Sequence, residues 1–443
     1  MRRDIEQQLL QWKTSERRKP LVLRGARQVG KTHSLQYFGR QYYKHVAYLN
    51  FEEAASASQL FLTDLDAHRI ISEISLMLDM PIIPAETLII FDEVQACPNA
   101  LASLKYFAEK ANHYHIAAAG SLLGVKLGKP AGFPVGKVNF LDLFPLSFCE
   151  FLDVLDKARL REYIDCIEKL TPLPAPVHEQ LTHLLKVYTF TGGMPEVVKH
   201  YRENQDLRTV RTIQKEVLDA YLLDFSKHAD PREIMKISTV WNQVPSQLAK
   251  ENKKFIFSAI RKSARGRDYE NAVQWLLDAG LIYKSMKISA PRLPVEAYSQ
   301  HNIFKIYLLD SGLLAAMADL PARILVEGDR LFTEFKGAFI ENLAAVTLVG
   351  QHRKQLYYWA SQSRAKVDFI VPYRHELYPL EVKAGISTKK KSLLAYHDKY
   401  HPPKLVRTTL INLRQDGRVI NIPLYLLHRF PAIILGDANL VNI

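Results

Sequence analysis

The sequence predicts an α/β protein whose N-terminal part is a doubly wound, parallel sheet, followed by a helical segment and further α/β structure. Three observations carry this expectation. Short apolar runs alternate with helix-length amphipathic stretches over residues 21–121. The run TLIIFDE (87–93) is apolar at successive positions, the pattern of a strand covered on both faces. A loop bounded by Gly25 and Gly30 separates the first strand-like run from the helix after it.

Taken in order, residues 1–20 read as an amphipathic helix ending before Pro20, with Arg17, Arg18 and Lys19 near its C-terminus, where the helix dipole favours cations. LVLRG (21–25) reads as a buried strand, 31–43 as a helix and HVAYLNF (45–51) as a second strand. A helix over 65–79, the strand 87–93, a helix over 99–112 and the strand HIAAAGS (115–121) complete the alternation. A loop rich in glycine and proline follows, holding Gly124, Gly128, Pro130, Gly132, Pro134 and Gly136. Beyond VNFLDL (138–143) the pattern turns helical, TPLPAP (171–176) reads as a linker, and 177–230 is helical around a Gly192–Gly193 turn. Short helices and the strand LIYKSM (281–286) occupy 231–290. The last part predicts a helix over 331–349, a strand over 355–360, a hairpin over 366–384, a helix over 391–399 and a strand over 405–412.

The 443 residues are 48% hydrophobic and 24% charged, an ordinary globular balance long enough for several domains. No apolar run reaches the roughly 18 residues that a membrane span needs. The N-terminal MRRDIEQQLLQW lacks an apolar signal core, so a cytoplasmic location is expected, with no membrane partner. Cys97, Cys149 and Cys166 are far apart and read as buried small hydrophobes rather than metal ligands or a disulfide framework. The net charge of +13 favours a polyanionic partner such as nucleic acid or an acidic protein surface.

Residues 25–32 read Gly25-Ala26-Arg27-Gln28-Val29-Gly30-Lys31-Thr32, the spacing G-x-x-x-x-G-K-[ST] between a strand and a helix. The glycines let backbone N–H groups wrap an anion, and the helix N-terminus adds its dipole. Lys31 supplies a mobile positive charge for β and γ phosphates, and the Thr32 hydroxyl is a magnesium ligand. In LIIFDE, Asp92 at the strand's C-terminal end is expected to hold magnesium and Glu93 to polarise the attacking water. Ser121, ending the next strand, reads either as a γ-phosphate sensor or as a helix N-cap. ATP and magnesium are the expected cofactors, and ATP hydrolysis is the expected activity.

GARQVGKT, LIIFDEV, AAAGSLLG and LFPLSFCEF (143–151) resemble the AAA-type P-loop ATPases of bacteria and archaea that carry a second domain of unknown function, of the DUF4143 type. TGGMPEVV (191–198), AVQWLLDAGLIYK (272–284), IYLLDSGLL (306–314), FKGAFIEN (335–342) and the pair VDFIV…LEVKAG resemble that second domain. The resemblance implies an ATPase core over 1–150, a helical lid over 151–230, a winged-helix-like segment over 231–325 and a restriction-endonuclease-like domain over 326–443. One departure is visible. Arginine is missing from 70–158, where such ATPases place a finger residue, and only Lys126, Lys129 and Lys137 lie in the corresponding stretch.

VDFIVPYRHELYPLEVK (367–383) reads as a hairpin turning between Arg374 and His375. That symmetry sets Asp368 opposite Glu381 on one sheet face, with Lys383 two residues further on. With Glu341 on the preceding helix, this is the D…E-x-K arrangement of endonuclease-like folds, in which carboxylates hold a divalent metal. Lys389, Lys390 and Lys391 lie close by, and Arg261, Lys262, Arg265 and Arg267 precede a helix that suits DNA phosphates. Three functions remain open from sequence: an ATP-driven nucleic-acid-processing enzyme, a nucleotide-gated switch with an inert endonuclease-like domain, and a protein-remodelling ATPase. Oligomeric state is not legible.

Overall fold

The computed structural model describes residues 1–120, 134, 136–249, 255, 266–321, 337–351, 355–361, 365–385 and 390–436. The chain forms two compact units. The first comprises Met1–Pro145 with Asp278–Gly280, and the second comprises Leu146–Leu277 with Leu281–Ile443.

In the first unit, helix α1 (Ile5–Thr14) precedes β1 (Leu21–Arg24), α2 (Lys31–Tyr42), β2 (His45–Asn50), α3 (Ala67–Met77), β3 (Thr87–Asp92), α4 (Pro98–Lys110), β4 (His115–Ala119) and β5 (Asn139–Asp142). The five strands pair in the order β2-β3-β4-β1-β5, all parallel. Parallel strands bury both faces, and β3 and β4 are buried at every position. Their side chains meet those of the flanking helices in a core where Phe51, Phe61 and Phe91 pack edge to face in pairs. Strand order matters for function. The chain leaves β1 for the distant β2, which opens a crevice at the carboxyl ends of the strands, where open α/β sheets bind ligands.

The second unit begins with α5 (Phe148–Val154), whose N-terminus carries a reciprocal capping box between Ser147 and Glu150. Helices α6 (Ala158–Asp165), α7 (Ala175–Thr191), α8 (Pro195–Asn204), α9 (Leu207–His228), α10 (Pro231–Ala249) and α11 (Gly266–Asp278) follow. The stretch read as a linker, TPLPAP, is anchored. Leu173 is buried, its N–H donates to Asn412 Oδ1 at 3.0 Å, and its carbonyl accepts from Asn412 Nδ2 at 2.7 Å. Cys166 is exposed, in contrast to the buried position expected, while Cys97 and Cys149 are buried. Cys166 caps the C-terminus of α6, an amphipathic helix that buries only Ile164.

Strands β6 (Ile282–Ile288) and β7 (Ser299–Leu308) form an antiparallel pair, followed by α12 (Ser311–Met317) and α13 (Ala338–Gly350). Then come β8 (Leu356–Ala360), β9 (Lys366–Val367), β10 (Phe369–Tyr373), β11 (Glu376–Val382), α14 (Lys391–Tyr400), β12 (Leu405–Thr409), β13 (Arg414–Asp416) and β14 (Val419–Pro423). One sheet runs β7-β6-β8-β9 and another β10-β11-β12-β14-β13. The first sheet therefore joins strands from 282–308 with strands from 356–367. The hairpin turn lies where expected, with Tyr373 paired to Glu376 across Arg374 and His375. Its first arm, however, is not one strand. It breaks at Asp368, so that β9 pairs with β8 while β10 pairs with β11. Continuing as one flat strand would deny the two sheets their separate partners.

Two stretches singled out in the sequence meet in this unit. Asp310 caps α12 by accepting from the Leu313 N–H at 2.8 Å, and its other oxygen accepts from the Gly193 N–H at 2.6 Å. Gly192 has φ of +72°, and a Cβ there would lie 2.1 Å from Asp310 Oδ1, so glycine is required twice over. Burial pushes the Asp310 carboxyl up from 3.8 to about 6, against the pull of the backbone N–H groups. A value raised on folding means that its contribution to stability is complete below 3.8 and is lost as pH rises through about 6. The difference in unfolding free energy between wild type and Asp310→Asn should therefore narrow by up to about 3 kcal/mol between pH 4 and pH 7. Urea denaturation across that range checks this, and a gap that widens with pH overturns it.

Candidate functional site

The first unit places the loop 25–30 between β1 and α2, at the carboxyl end of the sheet. Three residues here take positive φ: Gly25 at 150°, Gln28 at 64° and Gly30, the N-cap of α2, at 94°. A Cβ on Gly25 would lie 2.2 Å from the Leu143 carbonyl oxygen, so the loop packs too tightly for any other residue. Lys31 is buried, and its ammonium donates to the carbonyls of Gly25 at 3.0 Å and Ala26 at 2.7 Å. Arg27 and Val29 lie between the glycines. The Val29 carbonyl accepts from Arg3 Nη1 at 2.9 Å, and the same guanidinium donates to the Phe144 carbonyl at 2.7 Å. Arg3 thus braces the loop from behind, a contact that spacing in the sequence does not reveal.

Strand register brings the second set of residues to the loop. Asn50 pairs with Asp92 across β2 and β3, and Tyr48 stands two residues earlier on the same face as Asn50. Asp92 is 2% exposed. Its Oδ2 accepts from Thr32 Oγ1 at 2.7 Å and from the Tyr48 phenol at 2.8 Å, and its Oδ1 accepts from the Glu93 N–H at 3.0 Å. Burial, with the hydrogen bond to Asp92 behind it, holds the Tyr48 phenol above its ordinary value, so Tyr48 remains a donor at neutral pH. Glu93 sits in the left-handed region, φ 48° and ψ 41°, an uncommon place for a non-glycine residue and one associated with functional sites. Gln95, also buried, donates through Nε2 to Glu93 Oε2. At this site sequence reasoning missed Arg3, Tyr48 and Gln95. Gln95 lies three residues beyond Asp92, while Tyr48 reaches Asp92 only because β2 lies beside β3.

The oxygens of Thr32 and Asp92 are hard donors brought together beside a loop of backbone N–H groups and an ammonium. Such a set suits magnesium and phosphate. Ser121, Lys126 and Lys129 lie outside the described residues. Lys137 forms an ion pair with Glu109 at 2.9 Å.

The second unit gathers the other expected residues. Glu341 lies on α13, a helix buried almost all round, and is itself 2% exposed. Asp368 occupies the break between β9 and β10, and its Oδ2 accepts from the Val382 N–H at 3.0 Å. Glu381 and Lys383 pair at 2.7 Å. Burial pushes the Glu381 carboxyl above the usual range, and Lys383 partly offsets it. Asp368 Oδ1 and Glu381 Oε2 accept no hydrogen bond among the described residues. A residue not anticipated, Lys305 on β7, reaches into this group and pairs with Glu341 at 2.7 Å and Asp368 at 3.7 Å. Tyr307 donates to the same Glu341 oxygen at 2.6 Å. Of the basic residues, Arg261, Lys262, Arg265 and Lys389 lie outside the described residues, as does the side chain of Arg267, while Lys390 precedes α14 and Lys391 begins it.

Folding also assembles one group that spacing hides. Ligand atoms of Cys149, Asp165 and His428 lie within 4.8 Å of one another. His428 Nε2 and Asp165 Oδ1 are 2.9 Å apart, and Arg161 pairs with the same carboxylate group at 3.5 Å, so two side chains already hold Asp165.

Comparison with known proteins agrees with the N-terminal geometry. Residues 17–152 match the family described as AAA domain, 182–323 a domain of unknown function (DUF8612) and 336–427 another domain of unknown function (DUF4143). No curated protein matches the chain. Among solved structures, the Walker-type ATPase PABY2304 of Pyrococcus abyssi is 14% identical and aligns with 72% of this chain and 95% of its own, at a TM-score of 0.45. The Aeropyrum pernix ORC1 protein in complex with DNA is 11% identical, over 72% of this chain and 91% of its own, at a TM-score of 0.28. AMPPCP-bound DnaA from Aquifex aeolicus is 14% identical, over 62% of this chain and 84% of its own, at a TM-score of 0.27. A glycine-bounded phosphate loop on a parallel five-stranded sheet, matched as it is over 17–152, makes the N-terminal part of this chain an AAA-type P-loop ATPase domain, joined to a C-terminal DUF4143 domain.

Proposed function

We propose that the chain binds ATP with magnesium at the loop 25–32 and hydrolyses it. The observation that carries this reading is the 2.7 Å hydrogen bond joining Thr32 to Asp92 beside the loop. It supports a shared metal position, because both groups are oxygen ligands and a divalent cation would take a lone pair from each in place of the hydrogen bond, with the Thr32 hydroxyl keeping its proton. When bound, magnesium supplies charge neutralisation for the phosphate oxygens. Backbone N–H groups of Ala26, Arg27, Gln28, Val29 and Gly30 would cradle the phosphates, with Lys31 as counter-charge. Glu93 would orient the attacking water and take its proton, while Gln95 and Tyr48 hold the acid residues in place. Ser121 remains a proposed γ-phosphate contact.

We further propose that nucleotide turnover is coupled to nucleic-acid binding. The net charge of +13 and the basic run Arg261, Lys262, Arg265 and Arg267 support this. In the C-terminal part, the order α13, β8, β9 with β10, β11, α14, β12 supports an endonuclease-like architecture, with β12 parallel to β11. The second reading, a nucleotide-gated switch in which that domain is inert, is favoured by Lys305 lying among its carboxylates.

Phosphate release, measured with magnesium or EDTA and with single- or double-stranded DNA, tests the proposal. Turnover should require magnesium and rise with DNA. Stimulation by unfolded protein in place of DNA points to remodelling, and no stimulation by either points to the switch. DNA affinity should fall steeply with salt, and the double charge reversal Arg265→Glu, Arg267→Glu should weaken it and flatten the salt slope. Unchanged affinity in that variant returns the run to an ordinary solvated loop.

A further inference from the structure

The carboxylates of the second unit are arranged as endonuclease-like folds arrange metal ligands, yet the side chains around them do not fit a metal shared by all three. Lys305 is 3% exposed, and its ammonium stands between Glu341 Oε1 and Asp368 Oδ1, at 2.7 and 3.7 Å. Asp368 Oδ1, which accepts no hydrogen bond among the described residues, faces that charge. The Tyr307 hydroxyl donates to the Glu341 oxygen that Lys305 also holds. Burial alone would lower the Lys305 ammonium, but Glu341 and then Asp368 outweigh it and keep the group above its ordinary value. Lys305 also lies 4.7 Å from the centre of the Tyr358 ring, so an aromatic face lines the ammonium as well.

We infer that Lys305 is the resident cation of this cluster, filling the position between Glu341 and Asp368 that a divalent metal would otherwise take. A divalent ion entering there would meet a fixed positive charge within hydrogen-bond distance of its first ligand, and repulsion inside a buried site is poorly screened. The ammonium fits because it brings three donors and one charge to an interior that already holds acceptors. The cluster is then a permanently assembled part of the fold. Lys383, paired with Glu381 and more exposed, is left facing solvent as the group able to meet an anionic partner. This inference does not depend on the ATP site, which lies in the other unit.

The test uses the nucleotide-free full-length chain and Mn2+ as the probe, read by thermal melting and by direct Mn2+ binding. Wild type should show no Mn2+-dependent shift attributable to the position between Glu341 and Asp368, meaning none that Glu341→Gln removes. Lys305→Met should melt lower, and Mn2+ should raise its midpoint by several degrees, because two buried carboxylates are left without their cation. Lys305→Met combined with Glu341→Gln should recover part of the lost stability without Mn2+, since the unpaired charge is removed with its partner. That double variant keeps the test decisive if the single one fails to fold. A Mn2+ site in wild type that disappears with Glu341→Gln overturns the inference. So does a folded Lys305→Met that gains nothing from Mn2+, or a double variant no more stable than the single.

Discussion

Lys31→Ala should lose ATP binding by about 10- to 100-fold or more, the worth of charge-assisted hydrogen bonds between an ammonium and phosphate oxygens at about 1.5–3 kcal/mol. Two effects add. The substitution removes the buried side-chain cation that begins α2, and it removes the donor to the carbonyls of Gly25 and Ala26. The first weakens the ligand directly, and the second loosens the curvature that aims the backbone N–H groups. Overall folding should survive, because the core of this unit lies among the strand and helix side chains rather than in the loop. Titration with a fluorescent ATP analogue measures the loss, with circular dichroism as the folding control. Equal affinity in the variant and wild type would sink the phosphate-loop assignment.

Glu93→Gln should behave differently. It should bind ATP about as well as wild type and lower turnover by about 10²–10⁴-fold, the usual contribution of a positioned general base. The amide keeps the size of the side chain but cannot take a proton. Gln95 can still meet the amide oxygen, so the local structure should hold. Because the loss falls on the chemical step alone, kcat should drop without a matching rise in KM. Single-turnover phosphate release compared with analogue binding separates the two. A variant that loses binding and turnover together would make Glu93 a structural residue instead.

The placing of these two residues could be read from sequence for a physical reason. A phosphate loop is built from consecutive backbone groups, so its chemistry is local and its residue requirements appear in order along the chain. Asp92 and Glu93 are legible because they end an apolar run that can only be a central strand. Tyr48 was not legible, since its contact with Asp92 depends on β2 lying beside β3 rather than beside β1. Arg3 was missed for the same kind of reason, as it reaches the loop from 26 positions away.

The second unit draws the same division more sharply. From the sequence alone come the hairpin turn at Arg374–His375, the shared face of Glu381 and Lys383 and the placing of Glu341 on a helix, because turn symmetry and two-residue strand parity are local rules. The break at Asp368 was decided by two sheets competing for one strand, which no local pattern encodes. Lys305 lies 36 positions before Glu341 and one residue outside the stretch IYLLDSGLL, and only close packing brings it into the carboxylate cluster. Asp310 and Gly192 meet by the same means, across a long separation and without room for a Cβ between them. Backbone conformation and periodicity are set by neighbours in the chain, and the sequence alone carries them. Which distant charges share a buried space is set by how the finished elements pack, and there only the tertiary structure decides whether a carboxylate finds a metal, a proton or a lysine.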